Sequence, residues 1–116
     1  MKFSISKEAF LDALQQVQHV VSNRATLPIL SNVLIEAVDG KLKLTTTDLD
    51  VGVSGSVDAN IEKEGSTTLP VKRLVSIIRE LPASEVEVSV DAKNHASIKC
   101  GPSFFKIIGL GEEEFP

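Results

Sequence analysis

Residues 33–46, VLIEAVDGKLKLTT, decide the fold of this chain. Asp39 and Gly40 lie between two apolar runs, and both residues of a tight hairpin turn must adopt positive φ, which Asp and Gly tolerate. Leu42 and Leu44 point to one face of the second strand, while the lysines beside them point to the other. The stretch therefore predicts an antiparallel hairpin with one buried face.

A strand and a helix are predicted before this hairpin, and a third strand after it. Residues 2–6, KFSIS, alternate in polarity, and Ser6 is suited to cap a helix that continues to about residue 21. Residues 51–57 alternate again after the hairpin. The apolar positions of the helix recur with helical spacing, at Phe10, Ala13, Leu14, Val17, Val20 and Val21.

The second half of the chain repeats this order. Residues 67–69 predict a short strand, Pro70 opens a helix over 71–81, and Pro82 ends it. Alternating strands follow near 85–91, 96–100 and 103–108, whereas residues 60–66 are interpreted as a polar loop. Two β-α-β-β-β units in one domain of 116 residues predict an α+β fold, with two adjacent helices packed on antiparallel sheets.

Composition excludes several classes of protein. The chain has 12 Lys and Arg against 16 Asp and Glu, a net charge of −4, so it does not hold nucleic acid by bulk charge. One cysteine and two histidines do not favour a zinc site. No apolar run suits a signal peptide or a membrane span. We expect a soluble, cytoplasmic protein without a membrane partner.

The sequence offers little for catalysis. Asp48 and Asp50 would share a face of a strand, so a metal-dependent enzyme is one hypothesis; solvated acids are favoured because no third ligand is in view. His19 and His95 are interpreted as surface residues, and Cys100 as part of the core. No nucleophile elbow or phosphate loop is present. We therefore expect no catalytic residues, no metal and no cofactor.

Basic residues are a better lead to function. Lys72, Arg73 and Arg79 lie on the polar side of the second predicted helix, and Arg24 follows the first. If the helices are neighbours, Arg24 and the Lys72/Arg73 pair border one surface, to which Gln15 adds uncharged hydrogen-bond donors. An ordinary solvated helix face is common; the functional alternative is a surface of low charge density that contacts phosphates.

The last predicted strand, residues 103–108, is apolar on both faces. Phe105 and Ile107 face one side, and Phe104 and Ile108 face the other. Such a strand is either covered twice or forms an edge that meets a partner, and its position at the end of the chain favours the edge. A stand-alone protein-interaction module that uses this edge for strand addition is therefore an alternative function.

Several blocks resemble the N-terminal domain of the bacterial DNA polymerase III beta subunit, the sliding clamp family. The most specific block is RATLPILSNVLIEA at residues 24–37; DGKL at 39–42, TTDL at 46–49 and the closing EFP at 114–116 are similar as well. The resemblance extends over the whole chain. It implies that this chain is the first of three such domains, cut at a linker after Phe115-Pro116.

The family's architecture implies a function. Two subunits join head to tail as a ring around duplex DNA, which makes the polymerase processive without catalysis. The polymerase core and the clamp loader would bind through the domains missing here. By this likeness the DNA-binding residues are Arg24 and Lys72, with Arg73, Arg79 and Gln15 as lesser candidates, and the ring-closing residues are Phe105 and Ile107, with Phe104. Relatives often carry basic residues near that edge, where this chain has His95, Pro102 and Phe104, so the resemblance does not carry ion pairing over to these three positions.

Overall fold

The computed structural model describes residues 1–21 and 27–116. These residues form two antiparallel sheets, with α1 and α2 packed against each other and against the sheets, which confirms the predicted fold class. The elements are β1 (Lys2–Ser6), α1 (Lys7–Gln18), β2 (Asn32–Val38), β3 (Lys41–Thr47), β4 (Gly52–Asp58), β5 (Asn60–Lys63), β6 (Gly65–Pro70), α2 (Val71–Glu80), β7 (Glu85–Val90), β8 (His95–Cys100) and β9 (Ser103–Ile108).

The hairpin prediction is confirmed. Asp39 and Gly40 have φ values of 52° and 74°, as a two-residue turn between twisted strands requires. β2 and β3 pair from Leu34 opposite Thr45 to the turn. Leu42 and Leu44 are fully buried, so the inner face of this hairpin forms part of the core.

The two β-α-β-β-β units exchange their first strands. One sheet has the order β4-β3-β2-β6, and the other has the order β5-β1-β7-β8-β9. β6, which opens the second unit, thus pairs with β2 of the first, and β1 pairs with β7 of the second. Each unit completes the sheet of the other, so the two units share one hydrophobic core.

The interpretation of residues 60–66 as a loop is wrong. They contain β5 and the start of β6, and β5 pairs with β1 through Ile61 opposite Phe3. β5 lies at the edge of its sheet and only Ile61 turns partly inward, so its other side chains are polar and give no apolar alternation. Burial, rather than strand formation, is what sequence periodicity reports.

Both helices start at the predicted residues, and both end earlier than predicted. The Ser6 side chain accepts a hydrogen bond of 3.3 Å from the Ala9 N–H and caps α1. α1 ends at Gln18, three residues early. α2 ends at Glu80, because Pro82 biases the preceding Leu81 towards the extended conformation.

The core lies between the helices and the two sheets. Phe10 is fully buried and meets Phe3 edge to face, with ring centroids 5.9 Å apart and planes at 89°. α1 buries Phe10, Leu14 and Val17 of the apolar stripe that helical periodicity predicted, and α2 buries an apolar stripe of its own. Their fully buried residues are Phe10, Leu14 and Val17 in α1, and Val71, Leu74, Val75 and Ile78 in α2.

Candidate nucleic-acid interface and sheet edges

The two helices run antiparallel. The Lys7 ammonium group, in the first turn of α1, donates hydrogen bonds to the carbonyl oxygens of Arg79 (3.0 Å) and Leu81 (2.5 Å) at the far end of α2. A cation on the last carbonyls of a helix also interacts favourably with its dipole. Lys7 therefore joins the start of α1 to the end of α2. Sequence reasoning missed this role because the two residues it contacts lie more than 70 positions away.

This orientation concentrates positive charge at one end of the paired helices. Because the helices run antiparallel, the neutral C-terminal half of α1, with Gln15, lies towards the end of the pair at which α2 starts with Lys72 and Arg73. Glu8, in the first turn of α1, lies towards the opposite end of the pair, where α2 ends with Arg79 and Glu80. The N-terminus of α2 adds its partial positive charge to the first of these regions. The surface is thus cationic mainly around Lys72 and Arg73.

The predicted cations of α2 are exposed, as expected. Lys72 and Arg73, with Pro70 and Ser76, line a wide, shallow depression. Lys72, Arg73 and Arg79 have no carboxylate within 4.0 Å among residues 1–21 and 27–116. Such cations are available to phosphate oxygens, and a shallow surface suits a duplex better than a small molecule.

The first helix contributes polar but uncharged groups. Gln15 is exposed, while the neighbouring Gln16 amide donates to Asp12 at 3.1 Å. Arg24 lies outside the described residues, so its predicted place beside Lys72 stays a prediction.

β9 is an edge strand, as predicted, and its four apolar side chains differ in exposure. Phe104 is 63% exposed, Ile108 70%, Phe105 37% and Ile107 1%. Ile107 therefore belongs to the domain's own core, and its side chain is not available at the surface of this chain. The surface of the edge strand is formed instead by Phe104, Phe105 and Ile108.

The other sheet edges differ in how they are protected. The backbone of Leu110 pairs with the edge of β6 through two hydrogen bonds of 3.0 Å with Thr68. The preceding residue is Gly109, where a Cβ atom would lie 2.2 Å from the Thr68 carbonyl oxygen. Only glycine therefore permits this close approach. β5 is short and carries charges, which is typical of a protected edge. In the described part of the chain, the open edges are therefore β4 and β9, the last strands of the two units.

The Asp48 side chain stabilises the loop between β3 and β4 by accepting hydrogen bonds from its backbone. Its carboxylate accepts the N–H groups of Asp50 (2.9 Å) and Val51 (2.8 Å), and these bonds hold the pKa of Asp48 below its usual range. Within the described ranges, no three His, Cys, Asp or Glu residues lie close enough to hold a metal ion. The Asp48 carboxylate is thus explained by the turn, in which Asp50 takes part through its backbone N–H.

The same loop holds Leu49 in an unfavourable conformation. Leu49 has a φ of 84° and is 59% exposed, and its N–H donates to the Thr47 hydroxyl at 3.1 Å. We expect Leu49→Gly to raise the free energy of unfolding by roughly 0.5–1 kcal/mol, because the relieved strain exceeds the entropy that glycine adds to the unfolded chain. Urea denaturation measures this change.

The matched control is Val51→Gly in the same loop. Val51 is also exposed, at 54%, and its φ is not positive, so glycine relieves no strain there and should lower stability. If both substitutions were destabilising, Leu49 would not be strained.

The remaining candidates have structural places. His95 is half-buried at the start of β8, and its Nδ1 is 3.9 Å from Asp91. The buried Cys100 thiol lies 3.7 Å from the Pro82 carbonyl oxygen, which agrees with its expected place in the core. None of the helices in the described ranges is long and apolar enough to span a bilayer.

Known proteins with this arrangement are sliding clamps. The structure superposes on that of the Bartonella birtlesii sliding clamp with a TM-score of 0.96 and 42% identity, covering all of this chain and 31% of that one. The Caulobacter crescentus polymerase clamp gives 0.96 and 37%, with 32% of its chain covered. The class of the fold is therefore that of DNA polymerase sliding clamps.

Sequence comparison identifies the family. Residues 1–116 match the family described as DNA polymerase III beta subunit, N-terminal domain, and the chain belongs to this family. It is 37% identical over 116 residues to the beta sliding clamp of Chlamydia muridarum, and 39% over 118 to that of Haemophilus influenzae. It spans about a third of these relatives, 32% in both cases.

Proposed function

We propose that this chain is the first of three domains in a subunit of a ring that encircles duplex DNA and tethers a replicative polymerase. The proposal is carried by the exposed cationic end of the paired helices, on a fold that matches sliding clamps over its whole length. In the ring, α1 and α2 face the DNA and the sheets face outwards. The domain performs no chemistry; it holds the polymerase to its template.

Weak charge is compatible with this function. Each Lys or Arg that meets a phosphate adds salt-sensitive affinity without sequence preference. Arg24, Lys72 and Arg73, with Arg79 and Gln15 at the margin, supply few such contacts on a chain of net charge −4. Topological closure keeps the ring on DNA, so the contacts need only orient the duplex and allow sliding.

The two open sheet edges give the domain two neighbours. β9, with Phe104, Phe105 and the backbone of Ile107, meets the third domain of a second copy and closes the ring head to tail. β4 occupies the equivalent position in the first unit and meets the next domain of the same subunit. The polymerase core and the loader bind through the other domains, in the cytoplasm, where a reduced Cys100 is ordinary.

Topological linkage is the test of this function. The full-length protein, loaded on nicked circular DNA by its clamp loader and ATP, should stay bound in gel filtration and be released when a restriction enzyme linearises the circle. Blocking both ends of the linear DNA with bound protein should restore retention, because a ring cannot pass the blocks. Equal retention on open linear and circular DNA would refute encirclement.

A protein-interaction module is the second candidate function, favoured by the exposure of Phe104 and Ile108. Sedimentation of this domain with the C-terminal third of the full-length protein tests it, since the ring requires that partner for β9. Failure to associate at high micromolar concentration, while β9 captured an unrelated extended peptide, would favour the module.

A further inference from the structure

Phe104 and Ile108 form an apolar stripe on the outer face of the edge strand. At 63% and 70% exposed, they are the most exposed of the large apolar side chains in the described residues. They lie four positions apart in β9, so both project from the same face. Their neighbour Phe105 projects from the opposite face, above the core. β9 thus presents apolar side chains on both sides of its unpaired backbone edge.

The residues around the stripe are polar and include charges of both signs. Phe104 lies opposite Lys99, and Ile108 lies opposite His95. Lys106 projects between the two apolar side chains, opposite Ser97, and is exposed. Asp91 lies beside His95, and Glu87 lies opposite Lys99. The surface is therefore apolar along the edge strand, with lysines beside it.

We propose that Phe104 and Ile108 form a second, outer apolar layer of the ring-closing contact, which seals β9 against the edge strand of the second copy from the solvent side. This rests on the proposed function. An added strand continues the sheet, so its outward side chains lie directly beside Phe104 and Ile108. The partner strand must then offer apolar residues beside the stripe and a carboxylate near Lys106.

An apolar contact differs from an ion-paired one in its response to salt. Salt screens charges within about a Debye length but does not weaken apolar burial, which kosmotropic salts strengthen. Lys106 is the only charged residue between Ser103 and Ile108. The subunits of this ring should therefore stay together as sodium chloride rises, even while the cationic helix face loses its hold on DNA.

The test is subunit association of the full-length protein, measured by exchange between fluorescently labelled copies. Phe104→Ser with Ile108→Ser should weaken association by about 100-fold, the loss expected for two large apolar side chains that are no longer buried. Both positions are exposed, so thermal unfolding should be unchanged. The wild-type dissociation constant should vary by less than about threefold between low and high sodium chloride, because screening acts on charges.

The matched control removes two exposed apolar side chains elsewhere, with Val38→Ser and Leu49→Ser, and should leave association unchanged. A second variant, Phe105→Asp, tests the edge itself. If Phe105→Asp separates the subunits but the serine pair does not, the outer layer is wrong and the ring-closing edge stands. If the protein never dimerises, or if neither change matters, both the edge assignment and this inference are overturned. A dissociation constant that rises steeply with salt also overturns it.

Discussion

Lys72→Glu with Arg73→Glu, in the full-length protein, should lower affinity for duplex DNA by about 50-fold or more near 0.1 M salt. Each phosphate contact contributes about 0.9 to the slope of log affinity against log salt, so two lost contacts remove nearly two log units at this concentration. The slope itself should fall by about 2. Fluorescence anisotropy with labelled duplex over a salt series measures both quantities.

Charge reversal on the outer sheet face provides the control. Lys41→Glu with Lys43→Glu makes the same change in net charge on exposed residues of β3 that point away from the core. It breaks the exposed pair of Lys41 with Asp58, 3.6 Å apart, which costs little. If both double variants weakened DNA binding equally, net charge rather than the helix face would hold the DNA.

The same measurement also tests Arg24, which lies outside the described residues. If Arg24 shares the cationic surface with Lys72, adding Arg24→Glu to the double variant should lower the salt slope by about 1 more, one further phosphate contact. An unchanged slope would separate Arg24 from that surface and leave Lys72 and Arg73 as its centre.

Sequence patterns correctly predicted the elements that bury one face and the turn that requires particular backbone dihedral angles. The Asp39-Gly40 turn is of the second kind, and Phe10, Leu14 and Val17 of α1 are of the first, because helical spacing reports burial directly. β5 was missed because a charged edge strand buries only Ile61. Local patterns therefore identified the core-forming elements and failed at the protected edge.

The site depends on contacts that no local pattern contains. The exchange of β1 and β6 between the sheets brings α1 and α2, which follow these two strands, side by side. Lys7 reaches the end of α2 through the same exchange. The exposure of Lys72 and Arg73 was predictable from helical spacing, whereas the burial of Ile107 beside an exposed Phe105 depends on how far β9 extends over the core.

Phe10→Ala should cost about 3–5 kcal/mol of unfolding free energy, the usual range for a fully buried phenylalanine. Phe10 is completely buried and loses its contact with Phe3, whose centroid lies 5.9 Å away. Since domains of this size are stable by only about 5–15 kcal/mol, the substitution should remove a large part of the domain's stability. Phe105→Ala is the matched control, because the same atoms are lost at a side chain 37% exposed.

The shape of the unfolding curve tests the strand exchange as well. β1 belongs to the first unit but pairs within the sheet of the second, and β6 does the reverse, so neither unit keeps a complete sheet when the other opens. Phe10→Ala should therefore lower the urea midpoint of the whole domain in one transition, with an unchanged m value. Two separate transitions, with only the first unit destabilised, would show that the units fold independently despite the exchange.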